Sequence, residues 1–202
     1  LLLKRTAKVL TCLLVVLALL PLAPQRPRAQ EPGGQDRRLP VKIRLSILLR
    51  VLAYDRNLAK TRSVVHVGVL CLKDDKNSEE VGKQVTKQLK AFVGHRISGL
   101  KIRATSIVVG DGEALERTVK SKDVNILYTS SGTDRFFSKI RSLASGRKLL
   151  VVSGEPHHVR KGAGVVVVQR GEKPRIIVNL KSSKQQGADF DSRLLQLSDV
   201  IR

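Results

Sequence analysis

Four short apolar runs, each separated from the next by a single amphipathic stretch of helix length, constrain this chain more than any other feature. "VVHVGVLCL" (64–72), "LKIRATSIVVG" (100–110), "VNILYTS" (124–130) and "KLLVVSG" (148–154) are rich in Val, Ile and Leu. The first is apolar almost throughout, the pattern of a strand covered on both faces. Between them lie "NSEEVGKQVTKQLKAFV" (77–93), "DGEALERTVKS" (111–121) and "TDRFFSKIRSLAS" (133–145). In the first of these, Val81, Val85, Leu89 and Phe92 recur at helical spacing behind Ser78 and two acids, which suit a helix N-terminus. A lone helix between successive strands returns the second strand parallel to the first. The expected fold is α/β: a mainly parallel sheet made by βαβ crossovers, with helices on both faces.

The two ends break that rhythm. "VKIRLSILLRVLAYD" puts Val41, Leu45, Leu48, Leu49 and Leu52 on one stripe and predicts a first helix, with Lys42, Arg44 and Arg50 mostly off the stripe. Near the other end, "AGVVVVQRG" (163–171) and "KPRIIVNL" (173–180) almost abut, which predicts a C-terminal antiparallel hairpin. "FDSRLLQLSDVIR" (190–202), with Leu194, Leu195, Leu197 and Ile201, predicts a terminal helix.

Residues 1–30 have the order of a secretory signal peptide: Lys4, Arg5 and Lys8, an apolar run from Val9 to Leu22, then small residues and prolines. "EPGGQDRRL" (31–39) is a linker, and 40–202 form a single domain. The net charge is +21, and removal of residues 1–30 takes five cations and no acids, leaving +16. Such a charge seeks an anionic partner. Export and an aromatic content of only 3% argue against nucleic acid, which single-strand binders hold by stacking. An anionic surface contact or an acidic partner domain fits better, and a homodimer is a further option. Lys83, Lys87 and Lys90 form a cationic stripe on their helix. With Cys12 in the leader, Cys71 alone remains, inside a strand pattern, as a small core residue.

Ligands of open parallel sheets bind at the carboxyl ends of the strands. Here those ends carry "KDDKNS" (73–78), "GDG" (110–112), "TSSGTD" (129–134) and "SGEPHH" (153–158). The third is the candidate ligand site: Ser130, Ser131, Gly132 and Thr133 bring hydroxyls and backbone N–H groups to a helix start, where an anion is favoured. The plainer alternative is that Ser131 or Thr133 caps that helix. No P-loop, G-x-G-x-x-G or G-x-S-x-G motif occurs, so neither a cofactor nor an enzyme activity is expected. The adjacent pair His157 and His158 lacks metal-motif spacing, and no metal is expected. Those histidines are read as exposed residues in a crossover loop from Glu155 to Lys161, which Gly162 and Gly164 turn into the valine run.

The stretch 148–202 resembles the end of the YfiR-like family of exported bacterial proteins. The residues that carry the likeness are Val152-Ser153, Gly162, Asn179-Leu180, Ser182-Ser183, and Leu194-Leu195 with Leu197. It extends more weakly to 41–58 and the βαβ middle. The resemblance implies an α/β sandwich in the periplasm, without a catalytic role. It also implies repression of a membrane signalling enzyme, a diguanylate cyclase or a sensor kinase in its place, through binding of the enzyme's periplasmic domain, and so lowered cyclic di-GMP signalling. Two departures stand out: "YDRNL" (54–58) replaces the family's Trp-Pro ending of the first helix, and the paired cysteines of some members are absent.

Overall fold

The computed structural model describes residues 39–202; the expected signal peptide and most of the linker lie outside them. Helix α1 (Val41–Leu52) and a short turn of helix, α2 (Leu58–Thr61), lead into strand β1 (Val64–Leu72). Helix α3 (Lys76–Ala91), a two-residue strand β2 (Arg96–Ile97) and β3 (Leu100–Val109) follow. Then come α4 (Gly112–Ser121), β4 (Ile126–Thr129), a 3-10 turn (Thr133–Phe136) running into α5 (Phe137–Arg147), and β5 (Leu150–Ser153). The last third holds α6 (His158–Lys161), β6 (Val165–Arg170), β7 (Lys173–Asn179), α7 (Leu180–Gln185), α8 (Ser192–Gln196) and β8 (Asp199–Ile201).

One eight-stranded sheet results, in the order β2-β3-β1-β4-β5-β6-β7-β8. Its middle is parallel, as the single-helix connections predict. β6 and β7 form the expected antiparallel hairpin, Val165 opposite Val178. Alternation along each strand sorts side chains between two cores. Val65, Val67, Val69 and Cys71 of β1 face Leu45, Leu48 and Leu52 of α1 and Val85 and Leu89 of α3. Leu70 and Leu72 face the other side, with Leu115 and Val119 of α4 and Ile140 and Ala144 of α5. The continuous apolar run of β1 follows from this: both its faces are covered. Cys71 is buried, and burial pushes its thiol pKa up, so it serves as a small core residue.

The ends differ from expectation in two places. The terminal helix is only Ser192–Gln196, begun by Asp191 accepting from the Arg193 N–H at 2.9 Å. Beyond it, Asp199–Ile201 pairs in parallel with Ile177–Asn179. Leu197, which a helix to residue 202 would have placed on the apolar stripe, is 70% exposed. Arg44, read as lying off the buried stripe, is itself buried. Its guanidinium donates to Tyr128 Oη at 3.1 Å and to the Leu39 carbonyl at 3.0 Å. It lies flat against Gly154, where any side chain would collide with it.

Candidate functional site

Because β3, β1, β4, β5 and β6 run in one direction, the loops after Leu72, Val109, Thr129 and Ser153 gather along one edge. β1 lies between β3 and β4, so the chain leaves β1 to one side and then crosses back to the other. Such a reversal opens a crevice between the diverging loops. A cleft of about 410 Å3 occupies it, lined by Lys73, Asp74, Asp75, Gly110, Gly132 and Arg135 together with Leu72.

Of the four predicted ligand residues, Gly132 alone lines that cleft. Its φ of +83° is left-handed, and a methyl there would sit 3.0 Å from Asp75 Oδ2, so both backbone and space favour glycine. Ser130 and Thr133 are buried and turned inward. The Ser130 hydroxyl donates to the Leu70 carbonyl at 3.4 Å, and Thr133 Oγ1 to the Ser130 carbonyl at 2.7 Å. Neither Ser131 nor Thr133 caps the following turn through its side chain. Ser131 Oγ is buried and has no hydrogen-bond partner among the described residues.

The adjoining loop holds a second cluster. Thr129 and Ser153 are paired across β4 and β5, and Asp134 and His158 each lie five residues beyond that pair. Two loops unrelated by sequence spacing are thereby brought together. Asp134 Oδ1 receives His157 Nε2 at 2.9 Å and Lys161 Nζ at 2.5 Å, and lies 3.5 Å from His158 Nε2. The expectation of two exposed histidines holds for His157 only. His158 is fully buried, its ring centroid 4.5 Å from that of Phe137, because the first turn of α6 directs it inward beneath the ends of β4 and β5.

Two buried hydroxyls surround His158 Nδ1. Thr129 Oγ1 donates its proton to the Val152 carbonyl at 3.3 Å, and Ser153 Oγ donates to the Thr129 carbonyl at 2.9 Å. Both hydroxyls also lie within hydrogen-bond distance of His158 Nδ1, at 3.2 and 2.7 Å, and either oxygen can accept from it. Nε2 is buried and without a hydrogen-bond partner among the described residues. Burial first, and then His157, draw the His158 pKa down to about 4 against the pull of Asp134. Burial also opposes ionisation of Asp134, but the Lys161 hydrogen bond and the two imidazoles outweigh it and hold the carboxyl below its ordinary range.

Ser153, His158 and Asp134 are the residue types of a hydrolase triad, but their arrangement does not fit that chemistry. A nucleophilic serine gives its proton to the imidazole and faces the substrate. Ser153 is fully buried and so faces no substrate; its hydroxyl lies 2.9 Å from the Thr129 carbonyl and accepts from the Glu155 N–H at 3.1 Å. It organises the turn after β5 instead. Sequence reading missed this three-residue cluster; the signal that points to it is the pairing of neighbouring strands, which sets residues at equal distance past their ends side by side.

Among the described residues no helix is long and apolar enough to cross a membrane. The fold resembles a conserved domain protein of Vibrio cholerae O1 biovar eltor, with a TM-score of 0.59 at 11% identity, over 81% of this chain and 60% of that one. It also resembles the ABC domain from Streptococcus pneumonia in complex with L-Trp, with a TM-score of 0.57 at 13% identity, over 80% of this chain and 62% of that one. A ligand-free, open substrate binding protein with adhesive properties from Clostridium difficile gives 0.50 at 16%, over 68% of this chain and 54% of that one. The chain thus spans about three-fifths of the length of the first two, and at these identities the likeness is one of fold. No curated protein matches the sequence. The YfiR/HmsC-like family model matches residues 45–199, nearly the whole described domain, including the hairpin and the segments after it. The chain belongs to the YfiR/HmsC-like family, a family of regulators rather than enzymes.

Proposed function

We propose that the protein works in the periplasm and represses a membrane signalling enzyme, a diguanylate cyclase or a sensor kinase, by binding its periplasmic domain. The observation that carries this reading is the family match over residues 45–199. Repression of this kind needs no turnover chemistry. It needs tighter binding to the inactive conformation of the target than to the active one, which shifts the population between them. The surface suits such a role: Leu197 is 70% and Ile43 47% exposed, and Lys83, Lys87 and Lys90 are exposed along α3. Apolar contacts of that kind give affinity, while a cationic face speeds encounter with an acidic partner. Deleting the gene is expected to raise cellular cyclic di-GMP or kinase output, and Leu197→Asp to reproduce part of that rise without unfolding the protein. A deletion strain with both outputs unchanged removes the proposal.

A second reading is a small anionic ligand held at the strand ends near Ser130–Thr133. The observation favouring it is the buried, unpartnered Ser131 hydroxyl, in the loop whose Gly132 lines the 410 Å3 cleft. Thermal shift against a panel of small anions tests it; a panel that leaves the melting temperature unmoved sinks it.

A further inference from the structure

We propose that Asp134, His157 and His158 form a binding site for one divalent transition-metal ion of the zinc type. Their ligand atoms all lie within 4.8 Å of one another. Ligands about 2.0–2.1 Å from a tetrahedral ion stand roughly 3.3 Å apart. Asp134 Oδ1 is 2.9 Å from His157 Nε2 and 3.5 Å from His158 Nε2, so little movement brings all three onto one ion.

The buried histidine carries the argument. Its Nδ1 lies 2.7 and 3.2 Å from the hydroxyls of Ser153 and Thr129, oxygens able to accept its ring hydrogen, and its buried Nε2, without a hydrogen-bond partner among the described residues, faces Asp134 Oδ1 across 3.5 Å. An ion seated between the two would give the unpartnered nitrogen the partner it lacks. The same pattern recurs in metal-ligating histidines, which give their other ring N–H to a fixed oxygen and so acquire a set tautomer and orientation. Two imidazoles and one carboxylate suit zinc and its neighbours in the transition series better than calcium or magnesium, which prefer all-oxygen sets.

Lys161 occupies the carboxylate at present, 2.5 Å from Oδ1, but its side chain is 41% exposed and can turn to solvent when a doubly charged ion takes its place. His157 is half exposed and Asp134 more than a third, which supplies an entry path. Three protein ligands leave a fourth position for water or an incoming group. Beside His157 opens a cleft of about 430 Å3, lined among others by Pro156, Arg160, Arg170, Val200 and Ile201, from which such a group would come. The site stands independently of which signalling enzyme is the partner.

Calorimetric titration of Zn2+ into the full chain, paired with the visible absorption of Co2+ in the same place, tests it. Saturable binding of about one equivalent is expected, with a Co2+ spectrum of low coordination number. His157→Gln alters an exposed ring and leaves the fold intact; it is expected to weaken binding at least about tenfold, as is Asp134→Asn. His66→Gln and His95→Gln are expected to bind like the parent, and Lys161→Gln as well or better. Absence of stoichiometric binding by the parent chain overturns the site, and so does parental affinity in His157→Gln.

Discussion

Two loops lie side by side at the ends of β4 and β5, and each keeps a buried polar atom without a partner among the described residues, Ser131 Oγ in one and His158 Nε2 in the other. After β4, Ser130 turns its hydroxyl onto the Leu70 carbonyl of β1 and Thr133 onto the Ser130 carbonyl of the loop itself. After β5, His158 is held by its neighbours at one nitrogen and left without a partner at the other. The first loop has more of the residue types that attract attention in a sequence, yet most of them serve the fold. What makes a candidate site is the capacity that remains after every buried donor and acceptor has found its partner. Each loop keeps one such group, but only that of His158 lies among further ligand atoms, those of Asp134 and His157 within 4.8 Å.

The contrast breaks most sharply at Ser153, which joins the two loops. Its hydroxyl lies 2.9 Å from the Thr129 carbonyl and 2.7 Å from His158 Nδ1, and accepts from the Glu155 N–H. Ser153→Ala removes all three bonds at a fully buried position, so a loss of about 2–4 kcal/mol is expected from the orphaned groups. The midpoint of urea unfolding reads this directly. A loss under about 1 kcal/mol would mean that His158 is held elsewhere.

Thr133→Val is a smaller cut on the other side of the comparison. It removes one hydrogen bond of 2.7 Å, from Thr133 Oγ1 to the Ser130 carbonyl, and keeps the shape of the side chain. About 1 kcal/mol of stability should go with it, with no change in Zn2+ affinity. Altered metal binding in this variant would show that the bond from Thr133 to Ser130 also positions Asp134, the ligand this loop supplies.

Much of the fold was legible in the sequence because it rests on periodicity. Val65, Val67, Val69 and Cys71 alternate with Leu70 and Leu72 between two cores, and an unbroken apolar run with helices on either side says as much. The final strand was not legible. "LLQLSDVIR" satisfies a helical period, and only the open edge of β7, at Ile177–Asn179, makes extension of Asp199–Ile201 the better solution. Arg44 illustrates another limit. A cation on an amphipathic helix is assigned to water by default, and nothing local announces that the Leu39 carbonyl and the Tyr128 hydroxyl lie within its reach. The metal-ligand cluster fails for the same reason: Asp134 is separated from the histidines by α5 and β5, and strand order brings them together. His157 and His158 were visible as a pair; that one is buried and the other exposed follows from the turn of α6.

The smallest expected effect decides what the serine loop is for. Ser131 Oγ has no partner among the described residues, so Ser131→Ala removes a buried hydroxyl without breaking a hydrogen bond. Taken as a purely structural residue, it should change stability by no more than about 0.5 kcal/mol, and with the orphaned group gone the sign should favour the variant. A ligand role adds a second observable. If a small anion raises the melting temperature of the parent, the ligand reading requires Ser131→Ala to lose that rise while its unliganded stability stays level. Thr133→Val, whose hydroxyl is already engaged, should keep it. An anion response that survives Ser131→Ala unchanged would move the ligand away from this hydroxyl, and Asp134 would then be what the loop contributes to binding.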